Sequence, residues 1–109
     1  MRADLKPAYE LIFQFKSGAL EGGSITDEQA RLVQVLKEDL DVTADEKDTV
    51  KLAKLAAIAD SYWNQQTQMT IAKYYGAMSQ KNSAEAEGIR EAFFAKCPSV
   101  WYCGIVGDL

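Results

Sequence analysis

The chain reads as an all-α domain, a small bundle of four or five helices with one long central helix over about residues 43–80 and a short apolar C-terminal segment. Three observations predict this. Apolar residues recur at three- and four-residue steps through most of the sequence. Helix-start residues (Asp4, Thr26, Thr43 and Asn82) precede those runs. Proline occurs only at Pro7 and Pro98, so nothing of that kind interrupts the long central stretch, whose only glycine is Gly76. At 109 residues and 48% hydrophobic composition the chain suits a single domain, 1–109, with one small core.

The first helix runs from an Asp4 cap to about Lys16. Pro7 is tolerated in its first turn, where amides lack intrahelical partners. Tyr9, Ile12, Phe13 and Lys16 share one side, with Leu5 a turn earlier. Gly18 fits the left-handed residue past a helix end, and Gly22-Gly23 makes a turn. Thr26 and Gln29 then form a capping box, with Asp27 and Glu28 at the positive end of the helix dipole. Leu32, Val33, Val35, Leu36 and Leu40 give the second helix its apolar side. Asn82, with Glu85 three residues on, starts a helix that carries Ile89, Ala92, Phe93, Phe94 and Lys96 and stops before Pro98. The apolar tail after Pro98 fits an extended or a coiled segment.

The long central stretch opens on a second capping box, Thr43 with Glu46. Leu52, Leu55, Ala56, Ala59, Tyr62 and Trp63 share one side of its first half. In its second half Ile71, Tyr74, Tyr75 and Met78 point about a quarter-turn away, at about 100° per residue. Asn64 to Gln68, between them, has no apolar residue. A continuous helix of that length spans about 55–60 Å, whereas a compact domain of this size is only about 35 Å across. The spacing therefore predicts a break near Tyr62–Gln68, or a projecting half covered by another copy of the chain.

Helix, glycine turn, Ile25-Thr26-x-x-Gln29 helix and Val42-Thr43-x-x-Glu46 helix follow in an order that resembles the tellurite-resistance TerB-like helical domains over the first half of the chain. The acidic metal-binding glycine turns of such domains are not evident, and no function follows from the resemblance.

Formal net charge is -4 and the sequence pI is about 4.8. This argues against a nucleic-acid binder, which needs a basic face to displace counterions. No apolar run approaches the ~20 residues of a membrane span, and the N-terminus lacks a signal-peptide core. A cytoplasmic protein is expected, with Cys97 and Cys103 as reduced thiols. Two thiols cannot complete a tetrahedral zinc site. The acidic group Glu38, Asp39, Asp41, Asp45, Glu46 and Asp48 fails both calcium-loop registers, because Ala44 or Glu46 stands at the sixth position and Val50 or Leu52 at the twelfth. No cofactor or metal is expected. Histidine is absent, and no phosphate loop, nucleophile elbow or positioned acid–base pair is present, so the chain reads as non-enzymatic.

Ser61–Gln80 carries one formal charge, Lys73, amid amides and aromatics. That composition fits a surface that loses its water on contact, because interfaces enrich Tyr and Trp and deplete Lys, Glu and Asp. The candidate binding residues are Tyr62, Trp63, Gln66, Thr70, Lys73 and Tyr74. The expected role is a protein–protein interaction module (a small regulator, adaptor or inhibitor), self-associating as a homo-oligomer or binding a protein partner. The alternative is a small-ligand site, possibly for a nucleotide, with aromatic walls and Lys73 at the phosphate. The bland reading makes Tyr62, Trp63, Tyr74 and Tyr75 core residues with solvated amides around them.

Overall fold

The computed structural model describes residues 4–16, 25–43 and 47–109. The expected turns at Gly18 and Gly22-Gly23, and Glu46 of the second expected capping box, lie outside the described residues. The fold is all-α, with five helices and no strand among the described residues: α1 Leu5–Lys16, α2 Asp27–Asp39, α3 Thr49–Ser79, α4 Ser83–Lys96 and α5 Val100–Gly107. The chain divides into two compact units, Met1–Asp60 and Ser61–Leu109. No helix among the described residues is long and apolar enough to cross a membrane.

In the first unit α1 packs on α2. Asp4 holds the cap position of α1, its carbonyl accepting from the Ala8 amide at 3.2 Å and its carboxylate from Arg31 at 3.1 Å. Arg31 also donates to Glu28, and this hydrogen bond holds the Glu28 carboxyl below the ordinary carboxylate range. The Thr26–Gln29 capping box is present in both directions. Helix α1 buries Leu5, Ala8, Tyr9, Leu11 and Ile12, while Phe13, expected on that face, is 74% exposed. Helix α2 buries Leu32, Val33, Val35 and Leu36, with Leu40 just past its end. At that end Asp41 adopts φ 53°, and the Asp41 and Val42 amides return to the Glu38 and Lys37 carbonyls. This pattern is a Schellman stop. Two polar contacts tie the unit together. The Tyr9 hydroxyl donates to the buried Asp39 carboxylate at 2.6 Å, and the Lys16 ammonium meets the buried carboxylate of Asp60.

Helix α3 is the expected long central helix, with a corrected start and without the break that was one of two alternatives. It starts at Thr49 instead of Thr43, because the Asp48 carboxylate accepts from the Val50 and Lys51 amides and so supplies the cap; Thr43 is exposed and non-helical. It then runs unbroken to Ser79, 31 residues, with no break near Tyr62–Gln68. At about 1.5 Å per residue this is about 46 Å. Asn64 to Gln68 contains neither glycine nor proline, and an amide costs a helix only a few tenths of a kcal/mol, so about 0.7 kcal/mol at most per residue. The quarter-turn offset also disappears. The buried face follows Ala53, Ala56 and Asp60 in the first unit and Thr67, Tyr74 and Ala77 in the second, with half-buried Trp63 and Thr70 completing the three-four spacing. Leu55, Tyr62, Tyr75 and Met78, expected on apolar faces, are exposed.

In the second unit α3 turns into α4 through a second Schellman stop. Lys81 has φ 59°, and the Lys81 and Asn82 amides bond the Met78 and Ala77 carbonyls. Asn82 caps α4, accepting from the Glu85 amide at 3.1 Å and donating to its carboxylate at 2.9 Å. The tail after Pro98 is helical: the buried Ser99 hydroxyl accepts from the Tyr102 amide at 3.1 Å and starts α5, which buries Tyr102 and Val106.

Candidate functional site

Two contacts fix how α3 and α4 run in the second unit. Trp63 meets Phe93 edge-to-face, with ring centroids 6.0 Å apart. Farther along, Tyr74 and Ala77 form a buried cluster with Ala86, against which Ile89 and Leu109 pack. Residue numbers rise on one helix as they fall on the other, so the pair is antiparallel. Between the helices lies an open groove of about 260 Å³, lined by Tyr62, Trp63, Gln66, Thr70 and Lys73 from α3 and by Ile89, Ala92, Phe93 and Lys96 from α4.

Five of the six residues singled out from the sequence therefore line one groove. Tyr62 stands at its edge, 54% exposed, with its ring edge-to-face on Trp63 at 5.0 Å. The Thr70 hydroxyl donates to the Gln66 carbonyl at 2.8 Å, which leaves its lone pairs facing outward from the helix backbone. Lys73 and Lys96 lie toward opposite ends, and neither forms an ion pair with a described residue. No carboxylate lines the groove.

Tyr74, the sixth residue, is placed elsewhere. It is buried in the Ala77–Ala86 cluster, where the Arg90 guanidinium lies 6.0 Å from its ring. Arg90 also reaches the Phe94 ring at 5.8 Å, the Glu87 carboxylate at 3.0 Å and the Gly107 carbonyl at 3.2 Å. It thus ties α4 to one of the unpaired carbonyls at the end of α5. Sequence reasoning missed Arg90 because cation–π contacts leave no fixed spacing. It also missed Lys96 as a partner for Lys73, since only the antiparallel turn brings the two helices to one groove.

A different face of α3 in this unit points to solvent. Tyr62, Gln65, Met69, Ala72 and Gly76 follow one another at steps of three and four, and all are exposed; Met69 is 45% exposed. At about 100° per residue this stripe centres about a quarter-turn from the groove, and Tyr62 borders both.

Other candidate chemistry is spoken for by the fold. Asp39, Asp41 and Asp48 of the acidic group serve a tyrosine, a helix stop and a helix cap, and no set of three ligands for a metal occurs among the described residues. The Cys103 thiol donates to the Cys97 carbonyl at 3.6 Å and the Cys97 thiol to the Ser99 carbonyl at 3.9 Å. An apolar void of about 10 Å³ in the first unit, near Leu11, Phe15 and Val33, is a packing gap with room for one water at most.

No protein-family model matches the chain, and neither a curated protein nor a solved structure matches it.

Proposed function

We propose that the protein is a non-enzymatic interaction module, a small regulator, adaptor or inhibitor, that pairs with a second copy of itself through the exposed face of α3. One observation carries this reading: Tyr62, Gln65, Met69, Ala72 and Gly76 form an uncharged, solvent-facing stripe at the three-four spacing of a helix-pairing seam. Ser61 to Ala72 holds no formal charge, so an oppositely charged partner would find nothing to pair with. A surface of the same kind matches it best.

The order of side-chain sizes along the stripe favours an antiparallel pair. Setting Gln65 against the partner's Met69 pairs two long flexible side chains and sets Tyr62 against the partner's Ala72, an aromatic ring against a methyl group. A parallel pair would oppose Tyr62 to the partner's Tyr62 and overpack that layer. The antiparallel arrangement is isologous and closes as a dimer. The reading places this contact in the cytoplasm, where both thiols stay reduced.

Light scattering over a concentration series tests it. Wild type should approach twice the monomer mass, and Met69→Lys should remain monomeric with unchanged helicity by circular dichroism. The new ammonium would have to be desolvated in the seam, at a cost of several kcal/mol, on the order of 3. A wild-type monomer at every concentration, or a Met69→Lys dimer, would end the proposal.

A further inference from the structure

We propose that the α3–α4 groove binds a small aromatic anion of the nucleoside monophosphate class, with its ring beside Tyr62, Trp63 and Phe93 and its phosphate at Lys73. The groove adjoins the α3 stripe at Tyr62, and the proposal does not rest on pairing of the chain.

Three features of the groove select that chemistry. Its cations are Lys73 and Lys96, unpaired among the described residues, and no carboxylate lines it although the chain carries a net charge of -4. Local charge thus runs against the charge of the whole molecule, which favours an anion. The aromatic side chains gather at one end, where Trp63 meets Tyr62 and Phe93 edge-to-face and all three line the groove, a setting that suits a planar group. Lys73 stands ten positions after Trp63, about 15 Å along the helix, a separation that a nucleoside monophosphate and an extended lysine side chain can bridge together. The ligand therefore needs its ring and its charge at opposite ends.

Between those ends lie Gln66 and Thr70, and the Gln66 amide has no hydrogen-bond partner among the described residues. Both suit the hydroxyls of a sugar. Lys96, a pure donor, follows Phe93 by one helical turn and so lies at the ring end, where it meets the acceptor edge of a base. Guanine O6 and N7 present two such acceptors. At about 260 Å³ the groove lies just below the usual range of ligand sites, about 300–1,000 Å³, which suits a mononucleotide better than a dinucleotide.

Isothermal titration of the full chain with GMP, guanosine and ribose 5-phosphate separates ring from anion. GMP should bind at least about tenfold more tightly than either half, and Lys73→Gln should weaken GMP about tenfold while leaving guanosine unchanged. Lys96→Gln should weaken GMP and guanosine alike. Circular dichroism of each variant confirms the fold, and both lysines are exposed, so neither change disturbs the core. Absence of GMP binding at about 5 mM, equal binding of ribose 5-phosphate and GMP, or a Lys73→Gln protein that binds GMP as wild type does would each overturn the proposal.

Discussion

The two units of this chain spend their apolar side chains differently. The first buries an aliphatic core, including Leu5, Ile12, Leu32, Leu36, Leu40 and Leu52, and closes it with a tyrosine–carboxylate bond and a lysine paired with a buried carboxylate. The second buries Tyr74, Phe93, Tyr102 and Val106, yet leaves Tyr62, Met69, Tyr75, Met78, Val100 and Ile105 exposed. Aliphatic burial of the first kind holds a fold. Uncharged aromatic and thioether side chains left in water, on a helix without formal charge over a dozen residues, are a surface suited to being covered. The first unit also exposes Phe13 and Ile58, but the proposed contact rests on the second, where the exposed side chains follow one uncharged stripe of α3.

The largest expected effect breaks the contrast at its stable end. Leu36 is almost fully buried, so Leu36→Ala should cost about 2–5 kcal/mol through lost transfer energy and the cavity left behind. Tyr75→Ala, in the second unit and 57% exposed, should cost at most about 1 kcal/mol even after loss of its edge contact with Tyr74. Urea denaturation of the two variants measures both. Equal losses would mean that the exposed aromatics also hold the fold.

A smaller effect sharpens where the shared helix begins. Asp48→Ala should cost about 0.5–2 kcal/mol, the ordinary range for losing a side-chain cap, whereas Thr43→Ala should stay within about 0.5 kcal/mol. The same denaturation midpoints decide it, and a reversed order would move the start of α3 back to Thr43.

The helical class was legible because it follows from spacing and capping, which are local. The Thr26–Gln29 box and the Asn82 cap both form as read. The start of α3 was misread because Thr43-x-x-Glu46 and Asp48 both satisfy the grammar of a cap, and local grammar does not rank them. Its continuity was left open by the spacing for a different reason. Asp60 and Thr67 interrupt the apolar pattern, yet both lie on the buried face. The Asp60 carboxylate is met there by Lys16 from another helix, and sequence spacing along α3 carries no trace of that. The groove was half legible. Trp63, Gln66, Thr70 and Lys73 share a helix side and could be grouped, whereas Tyr74, a single residue on, turns inward. The opposite wall depends on the Lys81 turn, a left-handed residue without the glycine that would have announced it.

The central claim is that α3 of one copy lies antiparallel against α3 of another. Mixing Gln65→Cys protein with Met69→Cys protein under mild oxidation tests it most directly, with peptide mapping to assign the linked positions. The account predicts a mixed disulfide-linked dimer joining position 65 of one copy to position 69 of the other, in preference to dimers linking position 69 to itself and in higher yield than from a cysteine placed at the exposed Glu91 of α4. Predominant links from position 69 to position 69, or a mixed product no more abundant than the Glu91 control, would contradict it.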